Sequence, residues 1–228
     1  MDQDASLILQ VHEITTGYGT REVLSRVSLD VAFGEVVIVT GGNGSGKSTL
    51  LKAIFGLLRI WNTDGYVKYR EDGTKTLLPV GDPASNTGRR MAYLPQRAVG
   101  IPGFTGEESW RFAAGASGSS ESHSVRSSNL LQALPSLQPL QHRRTDSFSG
   151  GEQRLTTVGM MYATRPKLLL LDEPIAGLSS TTAEQMVKFL FDWHKAESIA
   201  MVIVEHRVGA LSKLRARHVH CEGGRLKT

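Results

Sequence analysis

The stretch Gly41-Gly42-Asn43-Gly44-Ser45-Gly46-Lys47-Ser48-Thr49 constrains this chain more than any other. It fits the pattern G-x-x-x-x-G-K-[ST], and it lies between a β-branched run, Val36–Val39, and a run of helical character, Leu50–Phe55. A buried strand therefore feeds a helix through a glycine-rich turn. Such a loop can aim backbone N–H groups of Gly41, Asn43, Gly44, Ser45 and Gly46 at phosphate oxygens, aided by the positive end of the helix dipole. Lys47 is placed to reach the β- and γ-phosphates of a nucleotide, Ser48 to offer its hydroxyl to Mg²⁺, and Thr49 to fix the start of the helix. A chance glycine-rich turn is the alternative, and the strand-loop-helix context argues against it. Asn43-Gly44-Ser45 also reads as a glycosylation sequon, discarded because it falls inside the loop.

The 228 residues suffice for one large α/β domain with a real core. A net charge of +4 with scattered basic residues, including the pairs Arg89-Arg90 and Arg143-Arg144, gives nucleic acid little support as a partner. The single cysteine, Cys221, excludes an internal disulfide and fits a reducing compartment. An acidic start, Met1-Asp2-Gln3-Asp4, is unlike a secretory signal, and no apolar run approaches the ~20 residues of a membrane span. The expected location is cytosolic or peripheral to a membrane.

Alternation through Leu7, Leu9 and Val11, a turn at Gly17-Tyr18-Gly19, and renewed alternation from Val23 to Val31 predict an antiparallel layer. Residues 60–90 carry strand-like pieces such as Tyr66–Tyr69, broken at Asp72-Gly73, Pro79, Gly81 and Pro83, which extend that layer or form loops. Met91–Leu94 reads as a core strand, and the chain from there to about residue 146 as helical and irregular, with a flexible loop over Gly115–Ser122. Trp110 and Phe112 are expected in the core of this section. Ser149 and Glu152 have the spacing of a capping box, which predicts a helix start. Lys167 leads into Leu168-Leu169-Leu170-Leu171-Asp172-Glu173-Pro174, a second core strand. Thr181 and Glu184 predict another cap, with Met186, Leu190 and Trp193 on one face of its helix, and Ile199–Val204 is a third core strand, ending at Glu205-His206. Strand-helix alternation argues a mostly parallel sheet with chemical groups at the strands' carboxyl ends. His218, His220 and Cys221 match no common zinc spacing and read as an ordinary C-terminal strand.

A phosphate loop that hydrolyses needs a carboxylate for Mg²⁺ and a group that polarises water. Asp172 fits the first role and Glu173 the second. His206, at the end of the neighbouring strand, reads either as a structural histidine or as a contact to the γ-phosphate, and Gln96, after Tyr93-Leu94-Pro95, either as a loop residue or as a sensor of Mg²⁺ and water. The His206 role rests largely on the family resemblance below.

Together these residues resemble the nucleotide-binding cassette of ABC transporters over nearly the whole chain. The resemblance makes Gly41–Thr49 the Walker A loop, Gln96 the Q-loop, Leu168–Glu173 Walker B with its catalytic glutamate, and His206 the switch histidine. Tyr18 stands where an aromatic stacks on adenine. Phe148-Ser149-Gly150-Gly151-Glu152 is similar to the LSGGQ signature, which implies that Ser149, Gly150, Gly151 and Glu152 meet the γ-phosphate held by a second subunit. Two departures stand out: Ser179 replaces the common D-loop aspartate, and Met160-Met161 an Arg-Ala pair. Leu134–Leu137, His142–Arg144, Ser149–Gln153, Arg165–Pro174 and Phe104–Ser109 look like stretches of branched-chain amino acid importer cassettes.

The resemblance implies one α/β domain over 1–228: a P-loop NTPase core, an N-terminal antiparallel β-subdomain, and a helical signature subdomain inserted at about 97–157. It implies an ATPase using ATP and Mg²⁺, closing as a homodimer or paired cassette on the cytoplasmic face of the membrane. Integral membrane subunits are the expected partners, and an extracytoplasmic solute-binding protein is compatible with them. Their docking surface is expected at the Gln96 loop and the helical section from about residue 97 to 146, with residues 98–112, where Val99, Ile101, Phe104 and Trp110 mix with Glu107 and Glu108, suited to a groove that the resemblance places there. The alternative is a soluble ABC ATPase in iron-sulfur or other complex assembly. A P-loop kinase or GTPase leaves Phe148–Glu152 unexplained.

Overall fold

A computed structural model describes residues 6–70, 77–79, 91–98, 100–116, 123–206, 208–212 and 214–227. Expectations resting on Met1–Asp4, Asp72-Gly73, Gly81, Pro83, Arg89-Arg90, Val99 and Ser117–Ser122 lie outside those residues. The alternating N-terminal sequence forms β1 (Leu7–Tyr18) and β2 (Arg21–Ala32), paired antiparallel. The segment β3 (Val36–Thr40) starts a second sheet, while β4 (Tyr66–Arg70) and β5 (Leu77–Pro79) return to the first, giving the order β2-β1-β4-β5. The pieces after residue 60 thus extend the antiparallel layer.

The second sheet adds β6 (Met91–Leu94), β7 (Leu168–Asp172), β8 (Ala200–Val204), β9 (Arg217–Glu222) and β10 (Arg225–Lys227), in the order β10-β9-β3-β8-β7-β6. All neighbours are parallel except β10 against β9. The central strands read as continuous apolar runs because both faces are buried. Val37, Val39, Leu168, Leu170 and Val202 face the antiparallel layer, whereas Val36, Ile38, Leu169, Leu171, Met201 and Ile203 face the helices. Truncating one such leucine to alanine costs about 2–5 kcal/mol, because rigid neighbours on both faces cannot close the cavity.

Helix α1 (Lys47–Phe55) lies between the sheets, burying Leu50, Leu51, Ala53 and Ile54, and Gly56 closes it in the left-handed conformation. On the other side stand α2 (Gly106–Ala116), α3 (His123–Ala133), α4 (Gly150–Ala163) and α5 (Ser180–Glu197). Gly159 of α4 permits a close crossing, since a Cβ there would come within 2.5 Å of Nε1 of Trp110 on α2. Trp110 is buried as expected, but Phe112 is 58% exposed and touches Phe104 edge-to-face at 5.8 Å. The two lie about 200° apart around a helix of 3.6 residues per turn, so only one can face the core. The expected Thr181–Glu184 cap is also corrected. Ser179 caps α5 by accepting from the Thr182 N–H at 3.2 Å, which starts the helix earlier and leaves no acidic residue in its first turn. Met186, Leu190 and Trp193 share its buried face as expected. Gly115 and Ala116 belong to α2 rather than to a loop. His218, His220 and Cys221 lie in β9, the ordinary C-terminal strand expected for them.

Candidate active site

The carboxyl ends of β3, β7 and β8 sit side by side in the sheet, because β3 and β7 both pair with β8 in parallel register. Whatever follows each strand is therefore delivered to one edge, whatever its separation in sequence. After β3 comes the loop from Gly41, which runs through positive φ at Gly41, Gly44 and Gly46 before α1 begins. Two of these glycines cannot be replaced cheaply: a Cβ on Gly41 would fall 2.1 Å from the carbonyl oxygen of Cys221, and one on Gly46 would fall 2.6 Å from Leu24. The loop is braced from below, where the Cys221 thiol donates to the Ser45 carbonyl at 3.1 Å and the Gly224 N–H to the same oxygen at 3.2 Å. Lys47 is buried and turns into the loop, its Nζ donating to the carbonyls of Gly41 at 2.9 Å and Gly42 at 2.7 Å. The Nζ–H donors of Lys47 thus concentrate where an anionic group would lie.

At the end of β7, Asp172 is 1% exposed and accepts a hydrogen bond from Ser48 Oγ on Oδ1 at 3.1 Å. Its Oδ2 is buried with no hydrogen-bond partner. Burial pushes its pKa above the ordinary carboxylate value, and the nearby Glu173 charge adds to this, against the Ser48 hydrogen bond and the charges of Lys52 and Lys47. An unsatisfied carboxylate oxygen beside a serine hydroxyl is the donor set a hard divalent cation takes, so these residues fit Mg²⁺.

Glu173 follows at φ 51, a left-handed conformation that costs a non-glycine residue about 1–3 kcal/mol. Its N–H, bonded to the Val204 carbonyl at 2.8 Å, holds it there. Gln96 Nε2 lies 3.3 Å from Glu173 Oε1, and His206 Nε2 lies 3.4 Å from the same oxygen. Segments after three different strands thus converge on one carboxylate. Tyr18, 46% exposed at the end of β1, accepts from Lys52 Nζ of α1 at 3.2 Å, so its ring stands beside the helix that the phosphate loop opens.

Ser149 caps α4 through the expected reciprocal pair, Glu152 N–H to Ser149 Oγ at 3.3 Å and Ser149 N–H to Glu152 Oε2 at 2.8 Å. Arg143 bonds the other oxygen of Glu152 at 2.6 Å. Burial alone would raise the Glu152 pKa, but the hydrogen bonds from Arg143 and Ser149 prevail and hold it below the ordinary value. The Glu152 carboxylate is thus engaged within its own chain, while Ser149 and Gly150 remain exposed. A cleft of about 580 Å³ separates this helix start from the Glu173 carboxylate, lined by Gln96, Ser149, Gly151, Arg154, Glu173 and Gly177 among others.

Residues 24–176 match the family model described as ABC transporter. The chain belongs to the ABC transporter family. The matched segment runs from β2 through the phosphate loop, Gln96 and the signature to the turn after Glu173. The cassette is 30% identical over 220 residues to BraG of Pseudomonas aeruginosa, a high-affinity branched-chain amino acid transport ATP-binding protein, covering 96% of this chain and 91% of the relative. Its identity to GlnQ of Escherichia coli, a glutamine transport ATP-binding protein, is 29% over 223 residues, covering 96% and 89%. Among solved structures, an ATP-binding subunit of an ABC transporter superposes with a TM-score of 0.84 at 27% identity, covering 97% of this chain and 88% of that one. The expected likeness to branched-chain importer cassettes is borne out, and so is the α/β cassette fold.

The sequence reading missed Arg154. The cassette buries it to 6% exposure on α4, in register with Val158 and Met161. A charge at a buried helical position was the available signal. It also missed the brace beneath the loop, because Cys221 and Ser45 lie 176 residues apart.

Proposed function

We propose that the cassette is the ATP-binding and ATP-hydrolysing subunit of a membrane transporter, working as a head-to-tail dimer in which the phosphate loop of one subunit meets the signature of the other. The reading rests on the meeting of Gln96 and His206 at one oxygen of Glu173, one residue beyond the Asp172–Ser48 pair. With Oε1 so engaged, Glu173 Oε2 takes a proton from water as the water oxygen bonds to the γ-phosphorus. The bond from that phosphorus to its bridging oxygen breaks, and the oxygen leaves on ADP. Gln96 and His206 orient the carboxylate and the water. Lys47 exchanges its loop carbonyls for β- and γ-phosphate oxygens, the backbone N–H groups from Gly41 to Thr49 surround the phosphates, and Tyr18 packs on the adenine. Asp172 and Ser48, with Gln96 nearby, would hold Mg²⁺, which supplies positive charge against the charge developing on the phosphate oxygens. Ser149, Gly150 and Gly151 present the start of α4 to the partner's γ-phosphate, with Glu152 holding that start in shape.

No helix among the described residues is long and apolar enough to cross a membrane. We infer that coupling to a solute uses separate membrane subunits, with the cassette on the cytoplasmic face of the membrane, in keeping with the transport roles of the relatives named above. The cleft of about 530 Å³ lined by Gly103, Phe104, Glu108, Arg111 and Phe112 suits their docking, with Phe112 exposed in it. We read the whole of 1–228 as one cassette domain, with the section of about 97–157 as its helical insert. Both relatives named above are transport ATP-binding proteins, which favours this role over complex assembly. They carry different cargoes, so the cargo is left to the membrane partner.

Glu173→Gln tests the reading. It should keep ATP binding, lower hydrolysis by about 10²- to 10⁴-fold, the scale of a lost general base, and trap an ATP-bound dimer in size-exclusion chromatography. Turnover near the wild-type rate would refute it.

A further inference from the structure

Arg154 has no place in the hydrolytic scheme above, yet it occupies the junction of the three segments that scheme must keep together. It projects from α4, five residues after Ser149, and is almost wholly buried. One guanidinium nitrogen, Nη1, donates to the carbonyl of Ala176 in the turn after Glu173, and the other, Nη2, donates to the carbonyl of Gln96. Nε is buried without a hydrogen-bond partner. Burial works against the charge, while Glu173, Asp172 and Glu205 attract it. A buried cation is costly unless its geometry is well matched, and a planar fork that bonds two carbonyls from separate segments is a match lysine cannot reproduce.

We infer that Arg154 is a positioning residue for hydrolysis, clamping the backbone at Gln96 and Ala176 onto the signature helix so that Gln96 stays on Glu173. The inference rests on the ATPase reading above. Its atoms form a continuous path: Ser149 opens α4, Arg154 on α4 holds the Gln96 carbonyl, and the Gln96 side chain donates to Glu173 at 3.3 Å. Glu173 also shares its turn with the second clamped carbonyl, since the Ala176 N–H donates to the Glu173 carbonyl at 3.1 Å. A shift of α4 when the signature engages would therefore move both the side chain that touches the base and the turn that carries it. With Nη1 and Nη2 both engaged on backbone carbonyls, Arg154 acts on the segments that carry Gln96 and Glu173, so it should govern kcat and not affinity.

The test is steady-state ATPase of wild type, Arg154→Lys, Gln96→Ala and the double variant, with ADP affinity by calorimetry. Arg154→Lys should lose tenfold or more in kcat, with KM for ATP and the ADP Kd within threefold. In the Gln96→Ala background the same substitution should cost less than threefold, because the Gln96–Glu173 contact that the clamp serves is gone and only its hold on the Ala176 turn remains. Hydrogen exchange should quicken around residues 96–98 and 176–178. Arg154→Gln is to be carried through the same cycle should the lysine variant fail to fold. A kcat within twofold of wild type, a tenfold loss that persists in full without the Gln96 side chain, or a parallel loss of ADP affinity would each overturn the clamp. A wild-type chain that hydrolyses no ATP would instead bring down the ATPase reading, and the clamp with it.

Discussion

Replacing Asp172 by asparagine should stabilise the metal-free cassette and destroy its response to Mg²⁺. The carboxylate is 1% exposed, Oδ1 is served by Ser48, and Oδ2 has no partner. Burial first, and the Glu173 charge next, raise its pKa in the folded chain. A carboxyl that holds its proton more tightly when folded loses stability as pH climbs from the unfolded value, about 3.9, through the raised folded one. Asp172→Asn removes this penalty and keeps an acceptor for Ser48, exchanging a charged orphan for a neutral one. We expect a gain of about 1 kcal/mol near neutral pH, or ~2–4 °C in Tm for a chain of this size, fading to nothing below about pH 4. Saturation at about 100 times Kd should stabilise the wild type by roughly 2.7 kcal/mol, which the variant forgoes in large part. The order of melting temperatures should therefore invert between EDTA and Mg·ATP. Calorimetry or dye-monitored melting across pH, with and without Mg·ATP, reads both halves. A variant that melts below wild type in EDTA at neutral pH, or that keeps the full gain from Mg·ATP, would refute the assignment of Asp172 to the metal.

Ser149→Arg should abolish hydrolysis, because a bulky cation would fill the place where the helix start meets the partner's γ-phosphate, while the loss of its cap alone would cost only about 1 kcal/mol of stability. Mixing it with Lys47→Ala chains should yield dimers with at most one complete site, seen as partial recovery of ATPase; normal turnover by Ser149→Arg alone would defeat the composite site. Charge reversal at Glu107 and Glu108 should uncouple vesicle uptake from ATP hydrolysis, leaving basal ATPase largely intact. Phe112→Arg should do the same without touching the Thr105–Glu108 cap, and unimpaired pull-down and uptake would place the docking surface elsewhere.

What could be read from the sequence was what lies close in the chain. The phosphate loop and the Ser149–Glu152 cap are short-range patterns whose residues determine their own geometry, and both appear as expected. Gln96, Glu173 and His206 are separated by long stretches, so their meeting on Oε1 follows from parallel register, and the expectation that set Gln96 at metal and water and His206 at the γ-phosphate did not include it. Side-chain direction was harder. Phe112 looked like core because its composition is apolar, but helical phase assigns that place to Trp110. Ser179 was read as a missing aspartate, whereas its hydroxyl performs the cap of α5 that any Ser, Thr, Asn or Asp can supply. Arg154 escaped because its partners are backbone carbonyls, which leave no trace in residue identity.

The same contacts give the docking proposal its physical content. The first turn of α2, which borders the cleft containing Phe112, is bonded to the segment before the signature: the Gly106 N–H donates to the Arg143 carbonyl at 3.2 Å and the Glu107 N–H to the Gln141 carbonyl at 3.0 Å. Glu107 accepts from the Gln141 side chain at 3.0 Å as well. Arg143 then pairs with Glu152, which holds the Ser149 N–H. A push on α2 therefore reaches the signature through direct bonds to one short segment, without passing through the hydrophobic core. Glu107→Arg would break a link of this path and also reverse a charge in the surface, so its uncoupling has two causes, whereas Phe112→Arg alters the surface alone. If both uncouple equally, the surface is what matters. If Glu107→Arg alone changes how ATPase responds to a reconstituted membrane partner, the connection from α2 through Arg143 carries the coupling, and contiguity has become a measured interaction.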